Sequence, residues 1–303
     1  MSLSLERLMC VLSIASSGLC TYLFFAFATA GRLKLPGSDV YTRSPLYVAN
    51  KYNVDNDPSQ SMVSIAWPIT LLSNLLASIC LYKICKTRNI FPPVFYFTWS
   101  AGSILSGVWT FTFDRELHLI SAVLVGMICV FAPIQLYTGV KTYHKKQQDM
   151  SDKLKWGLER VVFDSLGIMM TWTFTAMTST LTYAIAYQYS YHLEKPVLRA
   201  WPGRDVAVVA GTLLYTGAQL LWIAYDMIIY PKYTSCLRSV YPMTSFCSLG
   251  LFFSNYDSGN GMNYHNLAYL VLGLNATFFF ILRDKLKGKV QNSAIYYENK
   301  KMD

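Results

Sequence analysis

Charge is scarce in this sequence. Asp, Glu, Lys and Arg make up 14% of its 303 residues, against 53% hydrophobic, where a soluble globule carries roughly 25% charged residues. That polar surface cannot coat a globule of this length, so a water-soluble protein is excluded and a membrane protein is expected. Histidine is scarcer still, with four in the chain. No HxxxH, HxH or CxxC spacing occurs, so the usual zinc patterns are missing and no metal site is expected. Of the cysteines, Cys10, Cys20, Cys80, Cys129 and Cys247 fall inside apolar runs, and Cys85 and Cys236 sit at their ends. No pair shares a loop, which argues against a disulfide framework. Soluble domains, low-complexity tracts and internal repeats are also lacking. The net charge of +9 would suit nucleic acid, but the basic residues lie in short clusters between apolar runs, as orientation signals do, so the bilayer is the expected partner.

What the chain does have is long apolar runs. Residues 91–113 and 117–137 are separated only by Asp114, Arg115 and Glu116. At about 1.5 Å per residue each crosses a hydrocarbon layer of about 30 Å, so the pair reads as a transmembrane hairpin with a polar tip. Further runs at 8–30, 62–81, 161–183, 206–230, 240–253 and 267–282 complete an all-α polytopic bundle of about eight spans in one integral membrane domain, 1–303. Ala28-Thr29-Ala30 has the small-residue character of a signal cleavage site, which would leave seven spans, but the first run is longer than a usual signal core and reads as a retained helix. Pro68, early in the second run, is expected to cost its helix little. Tyr183, Tyr187 and Tyr191 repeat at i, i+4 and read as an interfacial aromatic belt.

Eight spans with a cytosolic amino terminus place 18 of the 26 basic residues on the cytosolic side. These are Arg7, Lys83, Lys86, Arg88, Lys141, Lys145, Lys146, Lys153, Lys155, Arg160, Lys232, Arg238, Arg283, Lys285, Lys287, Lys289, Lys300 and Lys301. The positive-inside rule favours this orientation, with both termini cytosolic. Lys300 and Lys301 then resemble a dilysine retrieval signal and point to the endoplasmic reticulum, with the plasma membrane or another endomembrane as the alternative.

Several polar residues are candidates for chemistry. Asp114, Glu116 and His118 share one face with His192, Glu194, Asp257 and His265, a set able to act as acid and base. The competing reading is that Asp114, Arg115 and Glu116 pair with one another and cap two helices. Asp164 and Asp226 lie near the cytosolic ends of their spans, where a carboxylate marks either a ligand or proton role or a structural pair, with Arg160 one turn before Asp164 as a partner. Gly102, Ser103 and Gly107 form a small-residue face suited to close helix packing. Asn74, Gln219 and Asn275 sit deeper and can join helices or line a pocket.

The chain holds seven Trp and 22 Tyr. A Trp67-Pro68 pair in the second span, with Trp99 and Trp109 flanking small residues in the third, resembles the tryptophan-rich sensory protein or translocator protein family, here divergent and extended to about eight spans. Over roughly residues 62–282 the resemblance implies a helical bundle that binds porphyrins, sterols or similar flat apolar molecules in an aromatic cavity. The leading expectation is a protein that binds or transports a small lipophilic ligand, using Trp67, Asn74, Trp99, Trp109, Trp172 and Gln219 as a pocket of apolar walls with few polar groups. An intramembrane enzyme of lipid or glycan metabolism, and an accessory subunit or chaperone of a membrane complex, are the alternatives. No cofactor follows from any of them.

Overall fold

A computed structural model describes residues 2–30, 36, 38–52, 54–58, 60–87, 90–187, 193–231, 233–256 and 262–300. Among them the chain is all-α. The helices are α1 (Ser2–Thr29), α2 (Pro45–Tyr52), α3 (Gln60–Thr87), α4 (Pro93–Asp114), α5 (His118–Lys146), α6 (Asp152–Gly157), α7 (Asp164–Ala186), α8 (Gly203–Ala224), α9 (Val240–Asn255) and α10 (Tyr264–Lys300). His192, Asp257, Tyr191 and Lys301 lie outside the described residues, as does the side chain of Lys300.

Five helices are long and apolar enough to cross a membrane, over Arg7–Thr29, Ser61–Lys86, His118–Asp149, Gly203–Ile229 and Tyr264–Arg283. Each turns large apolar side chains outward, among them Leu12, Leu72, Val123, Leu220 and Leu274, as a helix solvated by lipid does. The three other expected spans correspond to α4, α7 and α9, which are not in that set. Helix α9 has 16 residues, about 24 Å at 1.5 Å each. Thr, Ser, Gly and Trp dilute α4 and α7.

The dilution of α7 has a structural cause. This helix is the axis of the bundle, packed on α3, α5, α8 and α9, and no residue from 161 to 187 is exposed. Its threonines return their hydroxyls to carbonyls one turn back, as Thr171 does to Gly167 at 3.0 Å and Thr175 to Thr171 at 3.0 Å. A helix sheltered from lipid on every side needs no continuous apolar surface.

Small residues set the seams. Ser17 of α1 accepts from Ser78 of α3 at 2.8 Å and shares a hydrogen bond with Ser103 of α4 at 3.4 Å. The face bearing Gly102, Ser103 and Gly107 is therefore spent on α1 of the same chain, and a Cβ on Gly107 would lie 3.0 Å from Leu23. Across the axis, a Cβ on Gly211 of α8 would meet the Thr178 carbonyl oxygen at 2.8 Å and Thr182 Oγ1 at 2.7 Å. Backbone cannot yield as a flexible side chain can, so Gly211→Ala is expected to cost about 1–3 kcal/mol by overpacking. Gly102, with nothing within 4 Å of its Cβ position, accepts alanine without loss. Thermal unfolding of both variants in detergent checks the contrast.

Two π-helical pieces, Leu158–Phe163 and Tyr225–Ile229, interrupt the long helices at Asp164 and Asp226. Asp164 accepts the backbone N–H groups of Arg238 at 2.9 Å and Ser239 at 3.1 Å, ahead of α9, and a 3.2 Å contact from Arg160. Asp226 holds Arg283 of α10 and Tyr241 of α9. Asp164 thus ties the start of α9 to α7, and Asp226 ties α9 and α10 to the end of α8.

Candidate functional site

Stripes on three helices, the axis among them, converge. Trp67, Leu71 and Asn74 recur along α3, Trp109 and Phe113 along α4, and Trp172, Ala176 and Tyr183 along α7, each at the spacing that keeps side chains on one helix face. Phe24 of α1 closes the ring. It meets Trp67 edge-on at 4.6 Å between centroids and stacks on Trp109 at 5.7 Å, while Trp109 lies 4.9 Å from Phe113. Offset and edge-to-face contacts of this kind hold aromatic walls rigidly. They enclose a cavity of about 360 Å³, at the lower end of the ligand-pocket range. Below it a chamber of about 60 Å³ shares Phe24, Trp67, Leu71, Trp109, Trp172 and Ala176, and adds Thr70, Asn74, Ser106 and Thr173.

Pro68 stands on the cavity wall beside Ser64. It is the ninth residue of α3, which begins at Gln60, and so lies beyond the first turn in which proline is cheap. Lacking an N–H, it cannot donate to the Ser64 carbonyl. The early position expected from the sequence is corrected accordingly.

The cavity has a lid. Ser44, Pro45, Leu46 and Ala49, in and around α2, line its mouth. Asp114 accepts the backbone N–H groups of Thr42 at 2.9 Å and Arg43 at 2.7 Å. Glu116 receives Arg43, Lys51 at 2.8 Å and the Tyr52 hydroxyl at 2.7 Å. The expectation that Asp114, Arg115 and Glu116 chiefly satisfy one another is therefore corrected. An Arg115–Asp114 contact at 3.5 Å joins two of them; the closer donors come from the 42–52 strap, because a fully buried carboxylate needs more partners than a three-residue tip can supply.

The aromatic-belt reading of Tyr183 and Tyr187 is also overturned, since both are buried. The Tyr183 hydroxyl donates to Asp57 and that of Tyr187 to the Tyr52 carbonyl at 2.9 Å. His118 lies between the rings of Tyr52 and Tyr183, 4.5 and 5.5 Å away, with neither nitrogen partnered among the described residues. His265 approaches Thr212 of α8 instead, at 3.4 Å. Among the described residues no three His, Cys, Asp or Glu side chains come close enough to hold a metal.

Of the six expected pocket residues, Trp67, Asn74, Trp109 and Trp172 meet here. Trp99 does not. Ten residues before Trp109, it lies about 15 Å away along α4 and donates to Ser17 at 3.1 Å in the serine seam. Gln219 accepts from Thr244 at 3.0 Å and lines a different, apolar groove between α5, α7 and α8. Phe24, Phe113, Asp57 and Thr70 are not singled out by sequence, and Tyr183 stands out there only as a belt residue. Thr70 continues the Trp67 stripe and Phe113 the Trp109 stripe, so both were discoverable, whereas Asp57 comes from a loop with no periodicity.

Among the described residues Asp57 is the one carboxylate on the cavity wall. Burial pushes its pKa up to about 7, against the opposing effects of the Tyr183 hydrogen bond and the Arg204 charge. Arg204 itself pairs with Asp55 at 2.7 Å, so little of its charge reaches Asp57. An acid whose pKa is higher in the fold than in the unfolded chain stabilises the fold at low pH and loses that contribution as pH rises through the folded value. The melting temperature in detergent is expected to fall between pH 5 and 8, with Asp57→Asn flattening the slope. An unchanged slope in that variant would assign the titration elsewhere. Compared with known proteins, the chain matches no family model, no curated protein and no solved structure.

Proposed function

We propose that this protein binds or transports a small lipophilic molecule in the aromatic cavity between α1, α3, α4 and α7. One observation carries the reading: three tryptophans and a phenylalanine from four different helices surround a space of about 360 Å³ left unfilled, where close packing is the rule in protein interiors. Apolar walls with a few convergent polar groups are what such a ligand requires. The carboxylates suggested for an enzyme, Asp114, Glu116, Asp164 and Asp226, each accept from several donors and serve the fold better than a reaction.

The same proposal places α4, α7 and α9 across the bilayer with the five apolar helices, giving eight spans, both termini in the cytosol and the protein in the endoplasmic reticulum. The resemblance to the translocator protein family belongs to this reading, since it too implies an aromatic ligand cavity. Ala176 borders both chambers, so Ala176→Phe fills them. Native mass spectrometry of the detergent-purified protein should find a copurifying lipophilic molecule that this variant loses at unchanged melting temperature. Retention of the same molecule by the filled variant would move the site away from this cavity.

A further inference from the structure

Two hydroxyl groups around the inner chamber are already spent. Ser106 donates to the Gly102 carbonyl at 2.8 Å and Thr173 to the Met169 carbonyl at 2.7 Å. Three other polar groups are not. Thr70 Oγ1, Asn74 Oδ1 and Trp109 Nε1 are buried without a hydrogen-bond partner among the described residues, on side chains 7%, 4% and 6% exposed. All three residues line the chamber. Leaving one such group unpaired costs about 1–3 kcal/mol, and native interiors seldom leave several together.

The identities of these atoms define what satisfies them. An indole N–H only donates, an amide oxygen only accepts, and a threonine hydroxyl does either. A single group that answers all three must donate and accept through one small centre. A carboxylate would leave the amide oxygen facing negative charge, and an ammonium would leave the indole donor without an acceptor. Among the described residues no charged side chain lines the chamber to neutralise either. A hydrocarbon or a simple ether supplies no donor.

We infer that the ligand carries a neutral hydroxyl group, seated in the inner chamber where it accepts from Trp109 and donates to Asn74 or Thr70, with its hydrocarbon body filling the aromatic cavity toward α2. This deepens the proposed function and rests on the cavity being a ligand site. The ligand class is therefore a long-chain or polycyclic alcohol.

Two probes that differ only at the head group test it. 11-Bromoundecan-1-ol and its methyl ether, 1-bromo-11-methoxyundecane, both quench tryptophan through bromine, and only the alcohol donates a hydrogen bond. Titrated into the full chain in one detergent, the alcohol should bind about tenfold more tightly than the ether, the size of one buried hydrogen bond. Thr70→Val with Asn74→Leu should erase that preference. Equal, saturable binding of the two probes by the unmodified protein, as a water-filled chamber would give, overturns the hydroxyl inference and leaves the cavity reading standing. Saturable quenching by neither probe overturns both. The comparison in unmodified protein holds even if the double variant fails to fold.

Discussion

Asp226→Ala should lower the stability of the protein by about 3–5 kcal/mol, a large share of the total stability of a typical domain. The Arg283 guanidinium forks onto the carboxylate at 3.0 and 3.1 Å, and Tyr241 adds a third bond at 2.9 Å. The two side chains of the ion pair are 3% and 0% exposed. Removing the carboxylate leaves a guanidinium out of water with the Thr234 carbonyl as its remaining acceptor among the described residues, and that desolvation is the dominant cost. The pair as a whole is a different matter, because its mutual attraction mainly repays its own burial. Asp226→Leu combined with Arg283→Met should therefore recover most of the lost stability. Thermal unfolding in detergent separates the cases: a single variant within about 1 kcal/mol of the parent would mean that water reaches the pair.

The contrast between that pair and the cavity shows which features are legible in sequence. Period and length expose the helices, and α9 runs from Val240 as its apolar run does. The low hydropathy of α7 reads as ambiguity until its neighbours are known, because only packing on four helices explains why threonines replace leucines. Trp67, Trp109 and Trp172 are visible as large side chains among small ones, yet the sequence cannot say that their faces meet. Trp99 has the same local setting and faces a serine seam. Asp226 shows itself as a carboxylate at membrane depth, but its partner is 57 residues away on α10, beyond any helical spacing rule. Glu116 is harder still, since its donors come from a polar loop without periodicity.

Glu116→Gln should release the lid. The carboxylate is fully buried and receives two cations, Arg43 and Lys51, besides the Tyr52 hydroxyl. An amide of the same shape keeps one acceptor and loses the charge, leaving two cations crowded together. The expected cost is about 2–4 kcal/mol, less than at Asp226, because Arg43 keeps 19% of its side-chain exposure and can turn toward water. That energy lies where the 42–52 strap meets the α4–α5 hairpin, so the strap should loosen before the bundle does. Trypsin should then cut after Arg43 and Lys51 faster than in the parent, while the brominated alcohol enters and leaves the cavity faster because Pro45, Leu46 and Ala49 form its mouth. Adding Lys51→Met removes one of the stranded cations and should restore part of the protection. If proteolysis of the strap and probe exchange both stay at parental rates in Glu116→Gln, the clamp does not control the mouth, and α2 is held by its other contacts, those of Asp114 with Thr42 and Arg43 and of Tyr187 with Tyr52 among them.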